Sequence, residues 1–143
     1  MNFSMPKEEI DLLASILKHC AVIVNMFSTL NLEASIFDKP IVNVAFEGTN
    51  CNGQKKARYN IAMDEAQTHN QRVVQSGAVQ IVRSPEELIE GINQALENPK
   101  MNQEARRSIV EQECGPFPGT AGKNIANHIL HMMDGLTQEI KLK

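Results

Sequence analysis

A serine–threonine pair followed by a glutamate is the combination of side chains in this sequence that could do chemistry. Ser28 and Thr29 begin a segment long enough for a short helix, and Glu33 stands one helical turn after Thr29. Serine is a good N-cap, and the first turn of a helix carries free N–H groups and the positive end of the helix dipole. Such a helix start binds anions. A nucleotide diphosphate would supply the anion and its ribose would supply hydroxyl groups for Glu33.

The position of Glu33 on its helix supports the same hypothesis. Leu30, Ala34 and Phe37 follow one another at i, i+4 and i+7 and predict one apolar face. Glu33 lies on or beside that face, where a carboxylate is costly unless something donates hydrogen bonds to it. The alternative is an ordinary capped helix whose Glu33 leans out into solvent.

Two apolar segments flank this helix and would position it. Residues 21–24 and 41–46 are short, rich in β-branched residues and almost wholly apolar, which is typical of strands buried on both faces of a parallel sheet. Residues 28–37 between them form the predicted helix, and Pro40 ends it because the residue before a proline avoids the helical region. The pattern predicts a βαβ unit with a right-handed crossover.

A third predicted strand, residues 79–82, completes the sheet. Because helix-length segments separate all three strands, we expect them to be parallel, with Asn25, Glu47 and Arg83 at one edge. Glu47 opens a polar, glycine-containing loop, and Arg83 is a candidate for phosphate binding. Three cations after that loop could also reach phosphates, although such clusters are usually solvated: Lys55, Lys56 and Arg58.

Length and helix signals predict one α/β domain, residues 1–136, with a polar tail at 137–143. The expected fold is a short parallel three-stranded sheet with helices on both faces, a partial Rossmann-like arrangement. Further helices are predicted after Pro6, from Ser84 to Asn98, over 102–113 and over 120–136. For the second of these, Ser84 and Glu87 predict a capping box, and the expected apolar face consists of Leu88, Ile89, Ile92, Ala95 and Leu96. Gly77 is expected to end a helix.

The composition excludes several classes of protein. Of the 143 residues, 42% are hydrophobic and 22% charged, with a net charge of −3, which predicts a packed core. No run of basic residues with interleaved aromatics suggests nucleic acid, and no segment reaches the ~20 apolar residues of a membrane span. Three widely spaced cysteines form neither a disulfide framework nor a metal signature. These features favour a cytoplasmic protein without a metal.

The sequence motifs of the central segment, residues 21–46, resemble those of the donor-binding half of GT-B glycosyltransferases. That family carries a small-residue turn, then Glu-Ala, then Gly-x-Pro-Val-Val, and this chain has Ser28-Thr29, Glu33-Ala34 and Pro40-Ile41-Val42. Met26-Phe27 replaces the usual glycine pair of the turn. The sequence is similar to bacterial surface-polysaccharide glycosyltransferases, to CDP-glycerol glycerophosphotransferases and to UDP-sugar 2-epimerases. The resemblance extends from about Leu12 to His131.

The resemblance implies a role for each site residue. Ser28 and Thr29 would hold the diphosphate, Glu33 the ribose, and Glu47 the sugar hydroxyls of a nucleotide-sugar donor. The position of Arg83 at the same edge of the sheet, and not the resemblance, makes it a further candidate for phosphate binding. No cofactor is implied and no catalytic residue is assigned.

In GT-B enzymes a second, N-terminal domain faces this one across the reacting centre, so the chain is expected to be part of a larger enzyme. By itself it would bind the donor without transferring sugar. A homo-oligomer remains open, as do two alternatives: a non-catalytic α/β interaction or regulatory module, and part of a UDP-sugar 2-epimerase.

Overall fold

The structure is a computed structural model that describes residues 5–47, 61–116 and 119–141, with side chains described as far as Met133. The lysines and arginine at 55, 56 and 58 and most of the loop after Glu47 lie outside the described residues. The described elements, in chain order, are α1 Lys7–His19, β1 Ile23–Asn25, α2 Leu30–Ile36, β2 Ile41–Val44, α3 Ile61–Ala66, α4 Thr68–Ser76, β3 Gln80–Val82, α5 Pro85–Glu97, α6 Gln103–Cys114 and α7 Ala121–Lys141.

The three strands form one parallel sheet in the order β1-β2-β3, which confirms the predicted topology. Ile23 pairs with Ile41, and Val44 pairs with Val82, so the strands end nearly level. The Ala45 N–H donates to the Val82 carbonyl at 2.8 Å and extends the pairing by one residue. Polar residues that follow the strands are therefore gathered at one edge.

Apolar side chains cover both faces of the sheet, as predicted. On one face Ile23 and Ile41 pack with residues of four helices and the turn before β3: Leu17, Ala34, Val73, Ala78, Val79 and Ile109. On the other face Val42 and Val82 pack against Ala95 of α5. Successive strand residues alternate between the two clusters because side chains along a strand point to opposite faces.

Local signals set the helix ends where the sequence indicated. Gly77 closes α4 in the left-handed conformation, with φ at 74°. The Ser84 hydroxyl accepts a hydrogen bond from the Glu87 N–H at 3.1 Å at the start of α5. The second half of the expected capping box is different, because the Glu87 carboxylate accepts from the Arg83 N–H at 2.7 Å.

The predicted inner face of α5 was partly wrong. Ile89 and Leu96 were expected to face the core, but they are 64% and 49% exposed. The buried stripe runs through Gly91 and Ala95 instead. A Cβ at Gly91 would lie 3.2 Å from Val82, so this glycine lets the helix approach the sheet closely and turns its neighbours outward.

The chain divides into two compact units, one up to Glu113 and one from Cys114 onwards. The second unit contains α7, which continues to Lys141 although the sequence predicted a helix end at Leu136 and a frayed tail. Its apolar side chains Ile125, Ile129 and Met133 are exposed.

Candidate functional site

The β1–α2 turn carries the two predicted phosphate-binding hydroxyls. The Ser28 Oγ accepts a hydrogen bond from the Leu30 N–H at 3.3 Å, and the Ser28 carbonyl accepts from Asn31 at 3.1 Å. The N-cap position is Thr29 and not Ser28 as predicted, and the exposed side chain of Thr29 makes no capping bond, so the hydroxyl bond to the helix start comes from the residue before the cap. Two of the first N–H groups of α2 already have protein acceptors, which weakens this turn as an anion site.

A pocket of about 200 Å³ opens where β2 and β3 end. Glu47 and Arg83 both line it, so the structure brings together two of the five predicted site residues. Its remaining lining is an apolar floor and one further carboxylate: Ala45, Phe46, Ile61, Ala62 and Glu65.

Arg83 is already paired inside this pocket. Its Nη1 and Nη2 donate to the two carboxylate oxygens of Glu65 at 3.2 and 2.8 Å, the fork geometry that suits guanidinium and carboxylate groups. The hydrogen bonds and charge of Glu65 raise the pKa of Arg83 above its ordinary value. Since a guanidinium has five N–H donors, three remain for another acceptor. Glu65 therefore holds Arg83 in one orientation.

Glu65 is a site residue that sequence reasoning missed. It lies in α3, where the sequence carries only a weak helical signal. Its partner Arg83 is 18 residues away, a separation at which no local pattern connects two side chains. The tertiary packing of α3 beside β3 creates the pair.

Glu33 lies in a different place from Glu47 and Arg83. Its half-buried side chain lines a mainly apolar groove of about 400 Å³ between α1 and α2, with these neighbours: Met5, Ile10, Leu13, Ala14, Leu17, Ile36 and Phe37. The carboxylate makes no hydrogen bond or ion pair to any other side chain in the part of the chain that the structure describes. Neither expected environment, a hydrogen-bonded site or open solvent, describes this position fully.

The five predicted site residues thus fall into three groups. Glu47 and Arg83 share the pocket at the ends of β2 and β3, Ser28 and Thr29 lie in the β1–α2 turn, and Glu33 lines the groove one helical turn away. All but Glu33 follow directly from the carboxyl ends of the strands. The pocket at the ends of β2 and β3 therefore presents a carboxylate and a guanidinium group together, a combination that suits a polar ligand with an anionic group, while the hydroxyl groups lie apart in the β1–α2 turn.

Comparison of the chain with protein-family models, with curated proteins and with solved structures found no match. Among the described residues, no helix is long and apolar enough to cross a membrane. No group of three or more metal-ligating side chains occurs within 5–47, 61–116 and 119–133.

Proposed function

We propose that this chain is the donor-binding portion of a GT-B-type glycosyltransferase and binds a nucleotide sugar. The observation that carries the proposal is the parallel sheet at whose carboxyl edge one pocket brings Glu47 and Arg83 together. Ligands of open α/β sheets bind at this edge because the loops and helix starts there are free of sheet pairing. The sequence resemblance selects a nucleotide sugar from the ligands that such an edge can hold.

Each proposed contact uses a group that the protein leaves available. The hydroxyl of Thr29 is exposed beside the start of α2 and would meet the diphosphate. Arg83 keeps three N–H donors while Glu65 orients it, and these would contact a phosphate oxygen. Glu47 is exposed at the pocket and would accept hydrogen bonds from the sugar.

Glu33 requires a ligand that reaches from the turn towards the groove. Ribose hydroxyls are suitable partners because a carboxylate accepts two hydrogen bonds from neighbouring hydroxyl groups. Among the described residues the Glu33 carboxylate has no side-chain partner, and it lies beside an apolar surface. Hydrogen bonds to it are therefore stronger than they would be in open solvent. The enzyme would act in the cytoplasm in the synthesis of cell-surface polysaccharide or a related glycan, together with a second domain that positions the acceptor.

Calorimetric titration with UDP, CDP and GDP tests the proposal. We expect one of the three diphosphates to bind, and its nucleotide sugar to bind more tightly than the diphosphate because Glu47 adds contacts to the sugar. Absence of binding to all three would contradict the proposal and favour a non-catalytic α/β module. Conversion of a UDP-sugar to its 2-epimer without any acceptor would favour the epimerase alternative.

A further inference from the structure

Three asparagines near the carboxyl ends of β1 and β2 have buried carboxamide atoms without hydrogen-bond partners among the described residues. Asn43 is 0% exposed and Asn31 is 1% exposed. Both carboxamide atoms of Asn25, both of Asn43 and the Oδ1 of Asn31 are buried and unpaired within the described structure. Proteins pair nearly all of their buried polar atoms, so five unpaired atoms of one residue type point to an unidentified partner.

The strand register places two of these side chains next to each other. Asn25 and Asn43 are Cα partners on neighbouring parallel strands. Each stands two residues after an isoleucine, Ile23 or Ile41, that packs in the same core cluster. Since side chains alternate along a strand, Asn25 and Asn43 project on that same face.

The third asparagine comes from the helix that covers this face. Ala34 of α2 packs in the same cluster, and Asn31 lies one turn before it on the buried side of the helix. Because α2 leads from the carboxyl end of β1 back to the start of β2, its first turn lies over the carboxyl ends of the strands. Asn31 therefore lies above Asn25 and Asn43.

The chemistry of three carboxamides defines what can satisfy them. The Nδ2 atoms of Asn25 and Asn43 need an acceptor, and the Oδ1 atoms of all three asparagines need a donor. An anion would satisfy only the donors and a cation only the acceptors, whereas a hydroxyl oxygen does both. The carboxamide atoms are fully buried, so the partner must be small.

We propose that Asn25, Asn31 and Asn43 form a buried hydroxyl-binding site beneath the first turn of α2. Water and a hydroxyl of a bound sugar or ribose share this chemistry. Binding of water is independent of the function proposed above. Binding of a sugar or ribose hydroxyl rests on that proposed function. The site adjoins the β1–α2 turn, so its occupant would hold the turn that carries Ser28 against the sheet.

Nuclear magnetic resonance on the ¹⁵N-labelled protein tests the site directly. The side-chain NH₂ signals are assigned with Asn25→Leu and Asn43→Leu, and the exposed Asn93 in α5 serves as the control. We expect cross-peaks from Asn25 and Asn43 to a long-lived water molecule, and none from Asn93. Addition of UDP-glucose distinguishes the sources, because a ligand hydroxyl in the site removes the water cross-peaks and shifts both NH₂ signals. The proposal would be overturned if Asn25 and Asn43 showed no water cross-peaks before UDP-glucose is added and their NH₂ signals did not shift after it is added.

Thermal melting of Asn43→Leu gives a second test, since leucine has nearly the shape of asparagine without its polar atoms. If a hydroxyl group bridges the carboxamides, the substitution breaks its bonds and Tm falls by about 3–5 °C. Asn93→Leu should leave Tm nearly unchanged. A rise in Tm for Asn43→Leu would show that the carboxamides are unpaired and would overturn the site.

Calorimetry with UDP-glucose on the wild-type protein separates the two proposals. If UDP-glucose, UDP, CDP and GDP all fail to bind but the water cross-peaks are present, the proposed function fails and the hydroxyl site stands with water as its occupant. If UDP-glucose binds, but no water cross-peaks to Asn25 or Asn43 are observed and their NH₂ signals do not shift, the hydroxyl site fails and the proposed function stands.

Discussion

Arg106 of α6 and Asp38, in the turn after α2, form an ion pair between residues 68 positions apart. The Arg106 Nη2 lies 2.9 Å from the Asp38 Oδ1, and its Nε donates to the same oxygen at 3.0 Å. The arginine side chain is 1% exposed, whereas that of Asp38 is 47% exposed. Two backbone carbonyls, of Met101 and Pro99, accept further hydrogen bonds from Arg106 at 2.6 and 3.1 Å. This arginine therefore ties the start of α6 to the βαβ unit.

Replacement of Arg106 by methionine should lower the free energy of unfolding by about 2–4 kcal/mol. The change removes the Arg106 donors from two backbone carbonyls and leaves Asp38 without its buried counter-charge. Arg107→Met is the matched control, because Arg107 lies next in the same helix with its side chain 64% exposed. The control should change stability by less than about 0.5 kcal/mol. Urea denaturation of the three proteins measures both values, and equal stability of the two variants would show that the buried pair contributes nothing.

The stability of the protein should fall in acid partly through Asp38. Partial burial raises the pKa of this carboxyl, but hydrogen bonds from Gln103 and Arg106, with the charges of Arg106 and Arg107, outweigh it and hold the pKa below the ordinary 3.8. A carboxyl whose pKa is lower in the folded state stabilises the protein above its unfolded pKa and loses that contribution as the pH falls through the folded pKa.

Asp38→Asn isolates this contribution to the pH dependence. Asparagine tolerates the left-handed backbone at this position, where φ is 52°. We expect the variant to be less stable than the wild type at pH 7, and the difference to shrink as the pH falls below about 4. Denaturation curves at pH 7, 5, 4 and 3 provide the comparison. A difference that stays constant across this range would mean that Asp38 does not carry the charge.

Removal of the Glu33 carboxylate should weaken nucleotide binding while leaving the fold intact. Charge-assisted hydrogen bonds to ribose hydroxyls contribute roughly 1.5–3 kcal/mol each, so Glu33→Ala should cost about tenfold to a hundredfold in affinity. Glu33→Gln should lose less, because the amide keeps one acceptor. Stability should hold or rise, since the carboxylate lines a mainly apolar groove.

Calorimetric titration and thermal melting of both Glu33 variants measure these effects. Glu97→Ala is the control, an exposed glutamate at the end of α5 whose loss should change neither value. Unchanged affinity together with a lower Tm would assign Glu33 a structural role.

The Arg83–Glu65 pair should matter for ligand binding more than for stability. Arg83→Ala removes a charged donor and should weaken nucleotide diphosphate binding by about tenfold. Glu65→Gln keeps Arg83 but loosens its orientation, and a smaller loss is expected. Stability should change by less than about 1 kcal/mol in both variants, because the guanidinium is largely exposed.

Arg72→Ala is the matched control for Arg83→Ala. Arg72 makes a comparable surface ion pair with Glu113 at 3.0 Å, but it does not line the pocket. Titration of the two alanine variants with the preferred diphosphate compares them under the same conditions. Equal affinity losses would attribute the effect to general charge, and no loss for Arg83→Ala would remove this residue from the proposed site.

Local interactions made the sheet and several helix ends predictable from the sequence. Short apolar strands separated by helix-length segments favour parallel pairing, and the three strands are parallel. Gly77 ends α4 through its left-handed backbone conformation, and Ser84 caps α5 through a hydrogen bond to a residue three positions later. Both effects depend only on neighbouring residues, so the sequence predicts them. The same locality placed Ser28, Glu47 and Arg83 beyond the ends of the strands.

Packing between distant segments decided the rest. The sequence pointed to Ile89 as a core residue, yet the close approach of Gly91 to the sheet turned it outward. The sequence near Arg106 does not predict the ion pair of this buried arginine, because its counter-charge Asp38 is 68 positions away in the chain and only folding brings the two together. The burial of Asn25 beside Asn43 likewise depends on strand register, which is set by the whole sheet and its covering helix.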